Sequence, residues 1–74
     1  MKNEKYSLYP EDFECYYVVC VHTENGDRYA YNHRMLSHSI EYARNYNTRR
    51  AALRCIRMSD YENAEILVLK RRQA

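Results

Sequence analysis

The sequence predicts a small two-layer α+β domain: an antiparallel sheet made of an N-terminal hairpin, a short strand and a C-terminal strand, with one helix packed on one face. Three observations predict it. Residues 13–22, FECYYVVCVH, are rich in β-branched and aromatic side chains and run into Asn25-Gly26, a strong hairpin signal. Residues 49–58, RRAALRCIRM, carry apolar side chains at helical spacing directly after Thr48. Residues 64–71, AEILVLKR, hold a short unbroken apolar run.

The elements follow in chain order. Residues 1–12 read as a polar N-terminal arm containing the chain's one proline, Pro10, and residues 13–72 as a single domain. The first strand is expected at 13–22, and RYAYNH, 28–33, is its return strand. Residues 34–47 contain poor helix formers, Asn45 and Asn47, and Ile40, Tyr42 and Tyr46 fit a period of two. A loop followed by a short strand near 41–46 is therefore expected. Thr48 has the chemistry of a helix N-cap, and the helix is placed at 49–58. SDYEN breaks it, and the continuous apolar run of 64–71 places the last strand inside the sheet.

Strand one is apolar on both faces. Cys15, Tyr17, Val19 and Val21 point one way, and Tyr16, Val18, Cys20 and His22 the other. One ten-residue helix covers one face only. The N-terminal arm, a second copy or a partner is expected on the second. The turn decides which tyrosines join that face. A two-residue Asn25-Gly26 turn sets Tyr29 opposite His22 and Tyr31 opposite Cys20, and it opposes Glu24 to Asp27, two like charges. A three-residue turn with Gly26 in a bulge pairs Thr23 with Asp27 and moves both tyrosines across.

Composition narrows the class. A 74-residue chain makes one domain with a thin core, because a chain this short buries only about 60–65% of its unfolded surface. Nine tyrosines, one phenylalanine and no tryptophan suit half-buried and contact positions. The net charge of +2 divides into −2 for residues 1–37 and +4 for 38–74, too mild to mark a nucleic-acid binder and of the wrong sign for an acidic DNA mimic. The three cysteines include no C-x-x-C pair, and Cys15 and Cys20 face opposite sides of their strand. No apolar segment reaches bilayer length. Free thiols in the cytoplasm are the expectation.

The candidate site begins with the arginines. Arg50, Arg54 and Arg57 form one helical stripe at i, i+4 and i+7, with Ala52, Leu53, Cys55 and Ile56 on the other side. Arg49 and Arg50 also sit in the first turn, against the helix dipole. Such a start suits a carboxylate or phosphate. The plain alternative is a solvated back whose arginines pair with Glu41, Glu62 or Glu65, or with Asp60 beyond the helix end. Lys70-Arg71-Arg72 extends the basic region or is simply a polar tail. With the arginines, Tyr16, Tyr29 and Tyr31 complete the expected partner-binding set. No catalytic, cofactor or metal site is expected. The spacing of Cys20, His22, His33 and His38 matches no ordinary zinc pattern, and a Cys20–His22 dyad lacks an orienting third group.

The pieces YYVVCVHTENGDRYAY and ARNYNTRRAALRCIRMSDYENAEILVLKRR resemble, in layout, small accessory proteins of phages and other mobile elements. Many of those combine a hairpin, a short strand ending in a threonine cap, one helix and a last strand. The likeness spans residues 15–72 and rests on no shared motif, so no site residue is carried over. It implies a protein that acts by binding, such as an inhibitor of a host nuclease or defence complex (anti-CRISPR proteins among them), or a small regulator. The expected function is a non-enzymatic protein-binding module. The alternative is an RNA or DNA binder using the arginine face and tyrosine stacking.

Overall fold

The structure, a computed structural model, describes residues 15–70. It contains strands β1 (Cys15–Thr23), β2 (Gly26–Ala30), β3 (Leu36–Ser37) and β4 (Ala64–Lys70), and one α-helix, α1 (Arg49–Met58). The strands form one antiparallel sheet in the order β3-β2-β1-β4. This is the α+β class expected from sequence. The proposed arm, residues 1–12, and the outer ends of the first and last expected strands lie outside the described residues.

β1 is interior because it is apolar on both faces. Tyr17, Val18 and Val19 are fully buried, and Cys20 and Val21 nearly so. Each fully buried apolar side chain of this size contributes about 1.5–3 kcal/mol relative to exposure. One face, through Tyr17, Val19 and Val21, shares a core with Ala30 and with Ala52 and Cys55 of α1. Tyr46, Ile56, Tyr61, Ala64 and Ile66 close its margin.

β4 lies at the sheet edge, not inside it. Its unbroken apolar run has another cause. Leu67 and Leu69 stand opposite Val18 and Tyr16 on one face, while Ile66 and Val68 stand opposite Val19 and Tyr17 on the other. A strand beside a two-faced neighbour needs apolar side chains on both faces, whatever lies on its far side. The same register bears on the second face. Val18 and Cys20 are buried within the single chain, flanked by Leu67 and Tyr29 in the neighbouring strands. The centre of that face therefore does not require a second copy to close it.

The hairpin differs from both expected registers. Glu24 and Asn25 form the turn, Thr23 opposes Gly26 and His22 opposes Asp27. The Thr23 hydroxyl donates to the Gly26 carbonyl at 2.6 Å and accepts from the Asn25 N–H at 3.1 Å, so the threonine clamps the loop one position earlier than Asn-Gly implied. Gly26 adopts φ +110°, a conformation side chains rarely take. Tyr29 opposes Cys20, two positions from where a two-residue Asn25-Gly26 turn would put Cys20's partner. A slip of two preserves faces, so Tyr29 still lies with Cys20 and His22. Asp27 faces His22 instead of Glu24, and the like-charge pair does not form.

The middle segment departs further. β2 ends at Ala30, short of 33. The expected strand at 41–46 is replaced by a 3₁₀ turn at Ile40–Tyr42 and a single bridge between Tyr46 and Tyr17, while the strand pairing falls on Leu36–Ser37. Asn32 explains the early exit. Its side-chain oxygen accepts from the N–H groups of Arg34 and Met35 at 2.7 and 2.8 Å, a turn that competes with strand pairing. The chain returns at Arg44, whose N–H donates to Ala30 at 2.9 Å, and at Tyr46, which exchanges two 2.8 Å bonds with Tyr17. Residues 44–46 thus occupy the lane that β2 vacates.

The helix matches its expected bounds and its cap. Thr48 is extended, and its hydroxyl accepts from the Ala51 N–H at 3.1 Å. Ala52 and Cys55 face the core, whereas Leu53, placed on the apolar side by sequence, is 40% exposed. A ten-residue helix on a thin core turns a stripe narrower than three residues per two turns inward. No helix among the described residues is long and apolar enough to cross a membrane.

Candidate functional site

Helix α1, the segment 44–48 and the turn after β2 enclose an open groove of about 690 Å³. Its walls carry Arg50, Arg54 and Arg57 from α1, Arg44 from the facing segment and His33 from the turn. None of the described residues lining it is acidic. The stripe predicted from the helical wheel is therefore one wall of a concavity, and a fourth arginine approaches from the other side.

Among the described residues, no acid pairs with the groove arginines Arg44, Arg50, Arg54 and Arg57. Among the described residues, the ion pairs are those of His22, and Arg50, Arg54 and Arg57 make none. Glu65, one of the acids expected to pair with the stripe, bonds His22 instead. Unpaired guanidiniums in a concave site focus positive potential outward and keep their forked donors available for carboxylates.

Tyr46 lines the groove, and Tyr61 braces the turn beside it. The Tyr61 hydroxyl donates to the carbonyls of Asn32 and Met35 at 2.7 and 3.2 Å, which pins the turn carrying His33. The Arg44 guanidinium lies 5.6 Å from the Tyr46 ring centroid, within cation–π range. Burial, and after it a hydrogen bond with Cys55, push the Tyr46 phenol up to about 12. Burial likewise raises the Tyr61 phenol. Both rings serve as supports rather than free stacking platforms.

The other sequence-predicted residues fall elsewhere. Arg49 leaves the groove and lies 5.3 Å above the Tyr17 ring, which accounts for a cation in the first turn. Tyr16 and Tyr29 are half-buried on the opposite face of the sheet. Tyr31 lies past the end of β2 and is 53% exposed. It borders a shallow apolar hollow with Met35, Leu36, His38 and Tyr42. Met35 and Tyr42 are 56% and 68% exposed, so the hollow leaves a cluster of apolar side chains open to solvent. Arg44, Met35, Leu36 and Tyr42 were missed, and His33 was weighed only as a metal ligand, because all lie in the segment 32–46, whose course depends on the Asn32 turn. The Asn-x-Arg-Met pattern that makes that turn was the available signal.

The four metal-ligand types singled out in the sequence do not come together. His33 joins the arginine groove and His38 the apolar hollow. Cys20 and His22 lie instead beside Asp27 and Glu65, on the sheet face away from α1. His22 Nδ1 is 2.7 Å from Asp27 and Nε2 is 2.6 Å from Glu65. These two bonds raise the imidazole's pKa, and both are made as donors only by the doubly protonated ring. Burial first, then the two carboxylates, raise the Cys20 thiol. That direction favours the thiol over the thiolate that a nucleophile requires.

No protein-family profile matches the chain, and neither the curated proteins nor the solved structures yield a match.

Proposed function

We propose that this chain is a non-enzymatic protein-binding module whose arginine groove grips an acidic surface of a macromolecular partner, in the manner of the small phage-type inhibitors its layout resembles. The carrying observation is the groove itself: four arginines and a histidine on two facing walls, with no acid among its described lining residues. The neighbouring exposed cluster of Tyr31, Met35, Leu36 and Tyr42 supplies the apolar part of a contact. Tyrosine, methionine and arginine are the residue types enriched at protein interfaces.

The nucleic-acid reading has less support. It needs open aromatic faces beside the arginines. Tyr46, which lines the groove, is half-buried under Arg44, and the Tyr61 hydroxyl beyond the groove is bonded to main chain. The test is capture from lysate on the immobilised chain, with and without nuclease and over a salt series. Retention of a protein after nuclease treatment supports the module. Loss with nuclease, with a salt slope near one per phosphate contact, would move the function to nucleic acid.

A further inference from the structure

We propose that Cys20, His22 and Asp27, with Glu65 behind the imidazole, form a binding site for a divalent transition-metal ion of zinc type. The site lies on the sheet face opposite α1 and shares no residue with the arginine groove.

The register builds it. Cys20 and His22, two apart in β1, share a face. His22 stands directly opposite Asp27 in β2, and Cys20 directly opposite Glu65 in β4. Three strands therefore deliver a thiol, an imidazole and two carboxylates to one spot. The ligand atoms of Cys20, His22 and Asp27 already lie within 4.8 Å of one another. Bonds of about 2.0–2.3 Å to tetrahedral zinc space ligand atoms about 3.5 Å apart, so small side-chain rotations close the set.

Charge points the same way. Asp27 and Glu65 bring two negative charges to a patch where, among the described residues, His22 is their ion-pair partner. A proton shared across the imidazole answers this only in part. A divalent ion bound at Nδ1 answers it more fully, and leaves Nε2–H donating to Glu65 at the 2.6 Å separation already present. A carboxylate holding the far nitrogen of a ligating histidine is the usual outer support of a metal site. Thiolate and imidazole select zinc-type ions over magnesium or calcium. Three protein ligands leave a fourth position, and the side chains of His22, Asp27 and Glu65 are about half exposed, so solvent can fill it. No metal is expected from sequence, because the spacing of Cys20, His22, His33 and His38 matches no ordinary zinc pattern. Asp27 and Glu65 join Cys20 and His22 only through strand pairing.

The test is a titration of the reduced full-length chain with Co²⁺, followed by absorbance. A tetrahedral site containing a thiolate produces a sulfur-to-cobalt charge-transfer band and intense visible bands, which Zn²⁺ then bleaches and Mg²⁺ does not. The bands should vanish in Cys20→Ser and persist in Cys15→Ser and Cys55→Ser. Asp27→Asn and Glu65→Gln, at exposed positions, should each weaken binding at least tenfold. Absence of the bands, their survival in Cys20→Ser, or unchanged affinity in both carboxylate variants would overturn the site. Should Cys20→Ser fail to fold, the two carboxylate variants decide alone.

Discussion

Reversing the arginine stripe separates its two roles. Arg50, Arg54 and Arg57 are exposed and make no ion pair among the described residues, so replacing all three by glutamate breaks no ion pair seen there. Arginine and glutamate have similar helix propensity. Repulsion along the stripe is unchanged, since three like charges replace three like charges. The dipole effects oppose each other. Glutamate at 50 improves the first turn by about 0.3–1 kcal/mol, and glutamate at 57, in the last turn, costs about as much. The net change in stability should stay within about 1 kcal/mol, or about 4–8 °C in Tm for a chain of this size. The groove changes far more. Each reversal removes two units, so the net charge falls from +2 to −4 and Arg44 faces three carboxylates. Attraction for an acidic partner becomes repulsion, worth several kcal/mol where like charges meet. Circular dichroism melting and capture from lysate read the two effects. A folded triple variant that has lost its partner is the expected result. Undiminished capture would make the stripe a solvated back, and an unfolded variant would mean the arginines hold the fold.

Three further outcomes are expected. Thr48→Ala removes the hydroxyl that caps α1, where no acid in the first turn can substitute, and should cost about 1 kcal/mol; Thr48→Ser should retain most of it, and an unchanged melt would refute the cap. In native chain, alkylation followed by mass spectrometry should label half-buried Cys15 ahead of buried Cys20 and Cys55, and equally fast labelling of Cys20 would contradict its burial and raised thiol pKa. Tyr46 binds its proton more tightly when folded, so its contribution is complete below its ordinary value of 10 and is lost as pH rises to about 12. Denaturant melts should weaken across that alkaline window, with Tyr61 adding in the same sense, and Tyr46→Phe should flatten the decline.

The sequence by itself determined what depends on near neighbours. Thr48 and the apolar spacing behind it set the helix at Arg49–Met58, because a cap and a helical face are interactions within a few residues. The hairpin, the order of elements and the arginine stripe were legible for the same reason. What only the tertiary structure decided depends on pairing and closure. The Thr23 clamp shifted the hairpin register by two, which kept every face but changed every partner, and so brought Asp27 to His22. The Asn32 turn ended β2 at Ala30 and sent the chain out and back, which set Arg44 and His33 across from α1 and exposed Met35 and Tyr42. An unbroken apolar run told that β4 was buried against its neighbour but not that it stood at the edge, because side chains report contact on the faces and the edge is read only from backbone pairing. Charge at one position in sequence is local; the groove joins His33 and Arg44 to the arginines of α1, and the ligand cluster joins Cys20, His22 and Asp27 to the distant Glu65, and only tertiary pairing fixes either meeting.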